Sequence, residues 1–86
     1  MLRRMARWST EYRFFLKRLI QARQDAGLSQ RQAAVRLGRL QSYVSKSELG
    51  ERRVDAVELA EFAKLYRKDL YYFLPESLSA RPGPSR

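Results

Sequence analysis

The side chains best suited to chemistry in this 86-residue chain lie between Gly38 and Gly50: Gln41, Ser42, Tyr43, Ser45 and Lys46. Gln can bridge two groups on an adenine edge, Lys favours guanine or a phosphate, and Ser can donate or accept at either. The default meaning of such a polar run is a solvated helix face. Catalysis has little to work with, because the chain holds 0 His and 0 Cys. That removes the usual general base, the usual zinc ligand and any thiolate. The carboxylates are spread along the chain without pairing, so we expect no enzyme, no metal site and no cofactor.

Eighteen Lys and Arg against nine Asp and Glu leave a formal charge of +9, which favours a polyanionic partner without saying which one. Arg3, Arg4 and Arg7 sit near one end, and Arg81 and Arg86 near the other. The opening segment has no apolar stretch of signal-peptide length, and no later run reaches membrane-spanning length. The expectation is a cytoplasmic protein with no membrane partner. At this length, with 44% hydrophobic residues, one core is affordable and two are not.

Apolar spacing and punctuation predict the elements that position the polar run. Tyr12, Phe15, Leu16, Leu19 and Ile20 fall on one helix face. That helix starts after Ser9 or Thr10 and closes near Ala26 and Gly27. Ser29 with Gln32 forms a capping-box pattern for a short second helix that ends before Gly38. A third runs from about Gln41 to Leu49, before Gly50. Asp55 can cap a fourth, carrying Leu59, Phe62, Ala63 and Tyr66. Asp69 can cap a fifth, Leu70 to Leu74, stopped by Pro75. Without alternating apolar patterns, strands have no support. The organisation expected is a basic flexible arm over 1–8, one all-α domain over 9–77, and a disordered tail over 78–86.

The stretch Gly27-Leu28-Ser29-Gln30-Arg31-Gln32-Ala33-Ala34-Val35-Arg36-Leu37-Gly38, followed by Gln41-Ser42-Tyr43-Val44-Ser45-Lys46 and Glu48-Leu49-Gly50-Glu51-Arg52-Arg53, resembles the phage-repressor (Cro and repressor, xenobiotic-response-element) type of helix-turn-helix. The resemblance runs from about Phe15 to Leu74. It implies a five-helix, lambda-repressor-like fold with the helix-turn-helix at helices two and three. It also implies sequence-specific binding of double-stranded DNA by a transcriptional regulator, a repressor acting as a homodimer. In that geometry the second short helix enters the major groove by its N-terminal turn.

The resemblance assigns Gln41, Ser42, Ser45 and Lys46 to the exposed recognition face, with Tyr43 near a base methyl or the sugar-phosphate edge. It places Gln30 on a phosphate at the start of helix two, and Arg39, Arg52 and Arg53 on the DNA backbone. It pairs Arg23 with Glu48 as a structural ion pair. Four positions depart from the family pattern: Leu40 replaces a capping residue, Ser47 an aliphatic, Val54 a proline and Arg67 a glycine.

Trp8 reads as a packing residue against the first helix. In the Tyr71-Tyr72-Phe73-Leu74 run, Leu70 and Phe73 should face inwards, and Tyr71, Tyr72 and Leu74 are candidate dimer contacts. A second functional class remains open, an antitoxin or adaptor whose main partner is another protein.

Overall fold

The computed structural model describes residues 8–79, an all-helical chain. Helix α1 (Thr10–Asp25) starts where the Ser9 hydroxyl accepts the Tyr12 N–H, satisfying a donor that the first turn of a helix otherwise leaves unpaired. Its inward stripe is Phe15, Leu16, Leu19 and Ala22. Helix α2 (Gln30–Leu37) begins with a complete capping box: Ser29 Oγ accepts the Gln32 N–H, and Gln32 Oε1 accepts the Ser29 N–H. It ends at Gly38, whose φ of 69° lies in the left-handed region that glycine enters without strain.

Helix α3 (Gln41–Leu49) follows after a short turn. Ala33 and Ala34 of α2 are buried, and their small side chains let the α2 and α3 backbones approach closely. Helix α4 (Ala56–Tyr66) is launched by a second capping box, between Asp55 and Glu58. It buries Phe62, Ala63 and Tyr66 against α1 and α2. The largest fully buried side chains are Phe62, Phe73, Leu16, Leu19 and Val44. The core thus draws its largest side chains from α1, α3, α4 and the C-terminal segment, with Ala33 and Ala34 of α2 completing it.

The C-terminal segment differs from expectation in four ways. Residues Leu70–Phe73 form a 3-10 turn rather than an α-helix. Its backbone bonds run from i to i+3, the Asp69 carbonyl accepting the Tyr72 N–H at 2.9 Å and the Tyr71 carbonyl accepting the Leu74 N–H at 3.2 Å, the tighter winding. Pro75 does not end helical structure, because a one-turn helix α5 (Glu76–Ser79) follows it. The fixed φ of proline suits a helix start, and its carbonyl accepts the Leu78 N–H. Leu78 and Ser79, assigned to the tail by the sequence, are thus helical; residues 80–86 lie outside the described residues, as do 1–7.

Phe73 is fully buried, but Leu70 is 48% exposed rather than inward. Arg18 fastens the 3-10 turn to α1, since its guanidinium lies over the Phe14 and Tyr72 rings and donates to the Tyr72 carbonyl at 3.0 Å. Among the described residues no helix is long and apolar enough to cross a membrane.

Candidate nucleic-acid interface

Three contacts set the orientation of α3, and the first centres on Glu48. This carboxylate is 3% exposed and takes a two-pronged bond from Arg23, Nε to Oε2 at 2.7 Å and Nη2 to Oε1 at 3.1 Å. Arg23 also donates to the Leu28 carbonyl, and the Gln30 side-chain amide donates to Glu48 Oε1 at 2.9 Å. One buried carboxylate thus ties together α1, the α1–α2 loop, the first residue of α2, and α3. Such a pair fixes geometry more than it adds net stability, because desolvating two charges offsets much of their attraction. For Gln30, expected at a DNA phosphate, the structure turns the amide donor inward onto Glu48.

The second contact is a clasp around Tyr43. The resemblance places this ring near a base methyl or the sugar-phosphate edge; in the fold it is half-buried and packs on Phe62, with centroids 5.8 Å apart and planes 16° apart. Its hydroxyl is buried without a hydrogen bond of good geometry, and burial pushes the phenol pKa up. The cause of the inward turn is the helical repeat, because Tyr43 lies one turn before the fully buried Ser47 and shares its face of α3.

The guanidiniums of Arg39 and Arg52 each lie 4.4 Å from the Tyr43 ring centroid. Both are held by carboxylates of α4: Arg52 pairs with Glu58 at 2.7 Å, and Arg39 with Glu61 at 3.5 Å. The bond from Arg52 holds the Glu58 carboxyl below the ordinary carboxylate range. Arg52 also donates to Ser47, whose hydroxyl donates to the Tyr43 carbonyl at 2.6 Å. The serine standing where the family pattern has an aliphatic is therefore a fully buried hydrogen-bonding link. Of the two arginines that the resemblance assigns to the DNA backbone, Arg52 is half-buried in this clasp and Arg39 remains exposed beside it.

The third contact closes the loop after α3. The Trp8 indole N–H donates to the Gly50 carbonyl at 2.8 Å, across 42 residues of chain. Gly50 has φ 79°, and a Cβ there would meet Trp8 Nε1 at 2.6 Å. The Arg53 guanidinium lies over Trp8 at 4.4 Å and over Tyr12 at 4.8 Å. Tyr12 in turn accepts the Val54 N–H at its hydroxyl. Arg53 is exposed and stacked, so its charge faces solvent from a fixed position.

With α3 so held, Gln41, Ser42 and Lys46 are exposed on it. Ser45 is half-buried and donates to the Ser42 carbonyl at 3.3 Å. The start of α3 is unlike the starts of α1, α2 and α4, because Leu40 occupies the N-cap and offers no side-chain bond. Leu40 is 78% exposed.

Of the candidate dimer residues, Tyr72 is committed to its own chain. Arg18 and Lys68 both stand over its ring, and Phe73 meets it edge-on. Tyr71 and Leu74 are half-buried. Leu74 lines an apolar groove of about 250 Å³ with Tyr12, Phe15, Leu59, Pro75 and Leu78.

Sequence reasoning did not assign roles to Glu58, Glu61, Ser47 or Leu40. Glu58 and Glu61 lie three residues apart on α4, but their partners Arg52 and Arg39 depend on the folded geometry. Among the described residues no group of acidic side chains is placed to hold a metal ion.

Two short helices joined by a glycine turn, the second braced from three sides with a polar face outward, define a helix-turn-helix DNA-binding domain of the Cro and repressor type. A family model described as a helix-turn-helix domain matches residues 15–69, well over half of the chain, and the chain belongs to that family. No curated protein and no solved structure matches it.

Proposed function

We propose that the protein is a sequence-specific regulator of transcription that binds duplex DNA as a homodimer, works in the cytoplasm and represses by occupying its site. The observation that carries this reading is the exposed start of α3, where Gln41 and Ser42, with Lys46 a turn further on, stand clear of the fold. Gln41 suits an adenine edge, Ser42 either partner of a pair, and Lys46 a guanine or phosphate. Arg53, fixed by its stacking on Trp8 and Tyr12, supplies a backbone contact. Arg39 and Arg52 contribute positive potential from the clasp.

One recognition helix spans few base pairs, so two copies on a two-fold site combine modest affinities. The groove lined by Leu59, Leu74 and Leu78 leaves apolar surface near the C-terminal segment where such a contact can form. Repression needs only that the site be occupied.

The test is repeated selection of bound duplexes from a random pool, followed by the mass of the complex formed on the enriched duplex. The reading expects a two-fold-related sequence holding two copies of the chain. Retention of no sequence would overturn it. Enrichment of a short asymmetric site holding one copy would remove the dimer and leave the DNA reading standing.

A further inference from the structure

Leu40 combines two unfavourable choices at one position. As N-cap of α3 it makes no side-chain hydrogen bond, whereas Ser9, Ser29 and Asp55 each cap the helix they precede. It is also 78% exposed, the highest value among the exposed large hydrophobic residues described. The core contains no part of it, so nothing inside the fold compensates for either cost. Its chain neighbours Arg39, Gln41 and Ser42 are exposed as well, so the apolar group is flanked by polar and basic side chains. That setting suits a polyanion with an apolar feature at a defined point. In the major groove of DNA that feature is the C5-methyl of thymine.

We propose that Leu40 is a specificity-determining residue that packs on a thymine methyl in the major groove, beside the base pairs facing Gln41 and Ser42. The proposal rests on the duplex-DNA reading above and adds a base identity to it. Thymine is distinguished from cytosine and from uracil by this contact, without a hydrogen bond. Placing the reader at the N-cap positions it ahead of the first helical turn, the part of a recognition helix that enters the groove deepest.

The experiment uses the full chain and the duplex enriched by selection, with each thymine replaced in turn by uracil, which removes only the methyl. At one thymine in each half-site, wild-type protein should bind the uracil duplex about fourfold more weakly per half-site, the factor expected for one buried methyl group. Leu40→Ala should bind thymine and uracil duplexes equally at that position. Leu40→Ser should lose the discrimination while its melting temperature rises, because serine restores the missing cap. A role confined to folding predicts no such opposition.

Equal sensitivity to uracil in wild type and Leu40→Ala overturns the proposal and leaves the DNA reading intact. So does the absence of any sensitive thymine. Loss of the two-copy complex in Leu40→Ala would make Leu40 a dimer contact and overturn it too. Failure to enrich any duplex overturns the DNA reading itself, and the proposal with it.

Discussion

Replacing Gly50 by alanine separates the packing role of Trp8 from the backbone role of the glycine. Gly50 and Gly38 both sit in the left-handed region, at φ 79° and 69°, and alanine there costs roughly 1–2 kcal/mol in either case. The two differ in surroundings. A Cβ at Gly38 meets nothing within 4 Å, whereas at Gly50 it meets Trp8 Nε1 at 2.6 Å and Leu16 Cδ1 at 3.0 Å. The indole must therefore move, losing its bond to the Gly50 carbonyl, a net contribution of about 1 kcal/mol. Loss of packing against Tyr12 and Arg53 adds to this.

Gly50→Ala should thus be less stable than Gly38→Ala by about 1–3 kcal/mol, the sum of the lost bond and partial loss of aromatic packing. In a domain of this size each kcal/mol corresponds to roughly 4–8 °C of melting temperature. Thermal melts followed by circular dichroism measure the gap. Emission from Trp8, the 1 tryptophan of the chain, should shift to longer wavelength in Gly50→Ala alone. In a Trp8→Ala background the extra cost at position 50 should shrink towards that at position 38. Equal melting temperatures for the two alanine variants, with unshifted emission, would refute the claim that Trp8 closes this loop.

Arg23→Met strands the buried Glu48 carboxylate and should cost about 3–5 kcal/mol. In urea titrations the double variant Arg23→Met, Glu48→Met should recover a large part of that loss, and strict additivity would contradict the pairing. Among the described residues Arg67 is the non-glycine residue with positive φ, at 59°, so Arg67→Gly should raise the unfolding free energy measured in urea by up to ~1 kcal/mol despite the greater chain entropy of glycine. Because Arg52 lowers the Glu58 carboxyl in the folded state, the stabilisation is present above the unfolded value of about 4.3. It is lost as pH falls through the folded value. Wild type should therefore lose its advantage over Glu58→Gln between about pH 5 and pH 3, the region around that unfolded value, and a constant difference across that range would count against the clasp. Glu61→Gln releases Arg39 at a half-exposed pair, so its affinity for duplex DNA should rise a few-fold in low salt and the gain should fade as salt screens it. An unchanged affinity would mean that Arg39 takes no part in binding.

Much of the fold was legible because its signals are local. Ser9, Ser29 with Gln32, and Asp55 mark helix starts by side-chain bonds only two or three residues long, and Gly38 and Gly50 mark helix ends by φ. The buried faces of α1 and α4 follow from a 3.6-residue period. Tertiary pairing was less accessible. Nothing local says that Arg52 turns to Glu58 or Arg39 to Glu61, or that Tyr43 fills the space between them and Phe62. Reading α3 and its flanks as an isolated surface leaves out α4, which packs on the Tyr43 ring and pairs with Arg52 and with the still exposed Arg39. The Trp8 bond to Gly50 spans 42 positions and has no sequence signal beyond the residue types. At the C-terminal end, Asp69 marks the start of Leu70–Phe73 by its side-chain bond but does not distinguish α from 3-10 winding, since such a cap serves either.

The central claim is that the exposed start of α3 reads base sequence. It is tested most directly by selecting duplexes in parallel with wild type and with Gln41→Ala. The account predicts two enriched motifs that agree except at one base pair in each half-site, where the variant loses its preference. Identical motifs from the two proteins would contradict it.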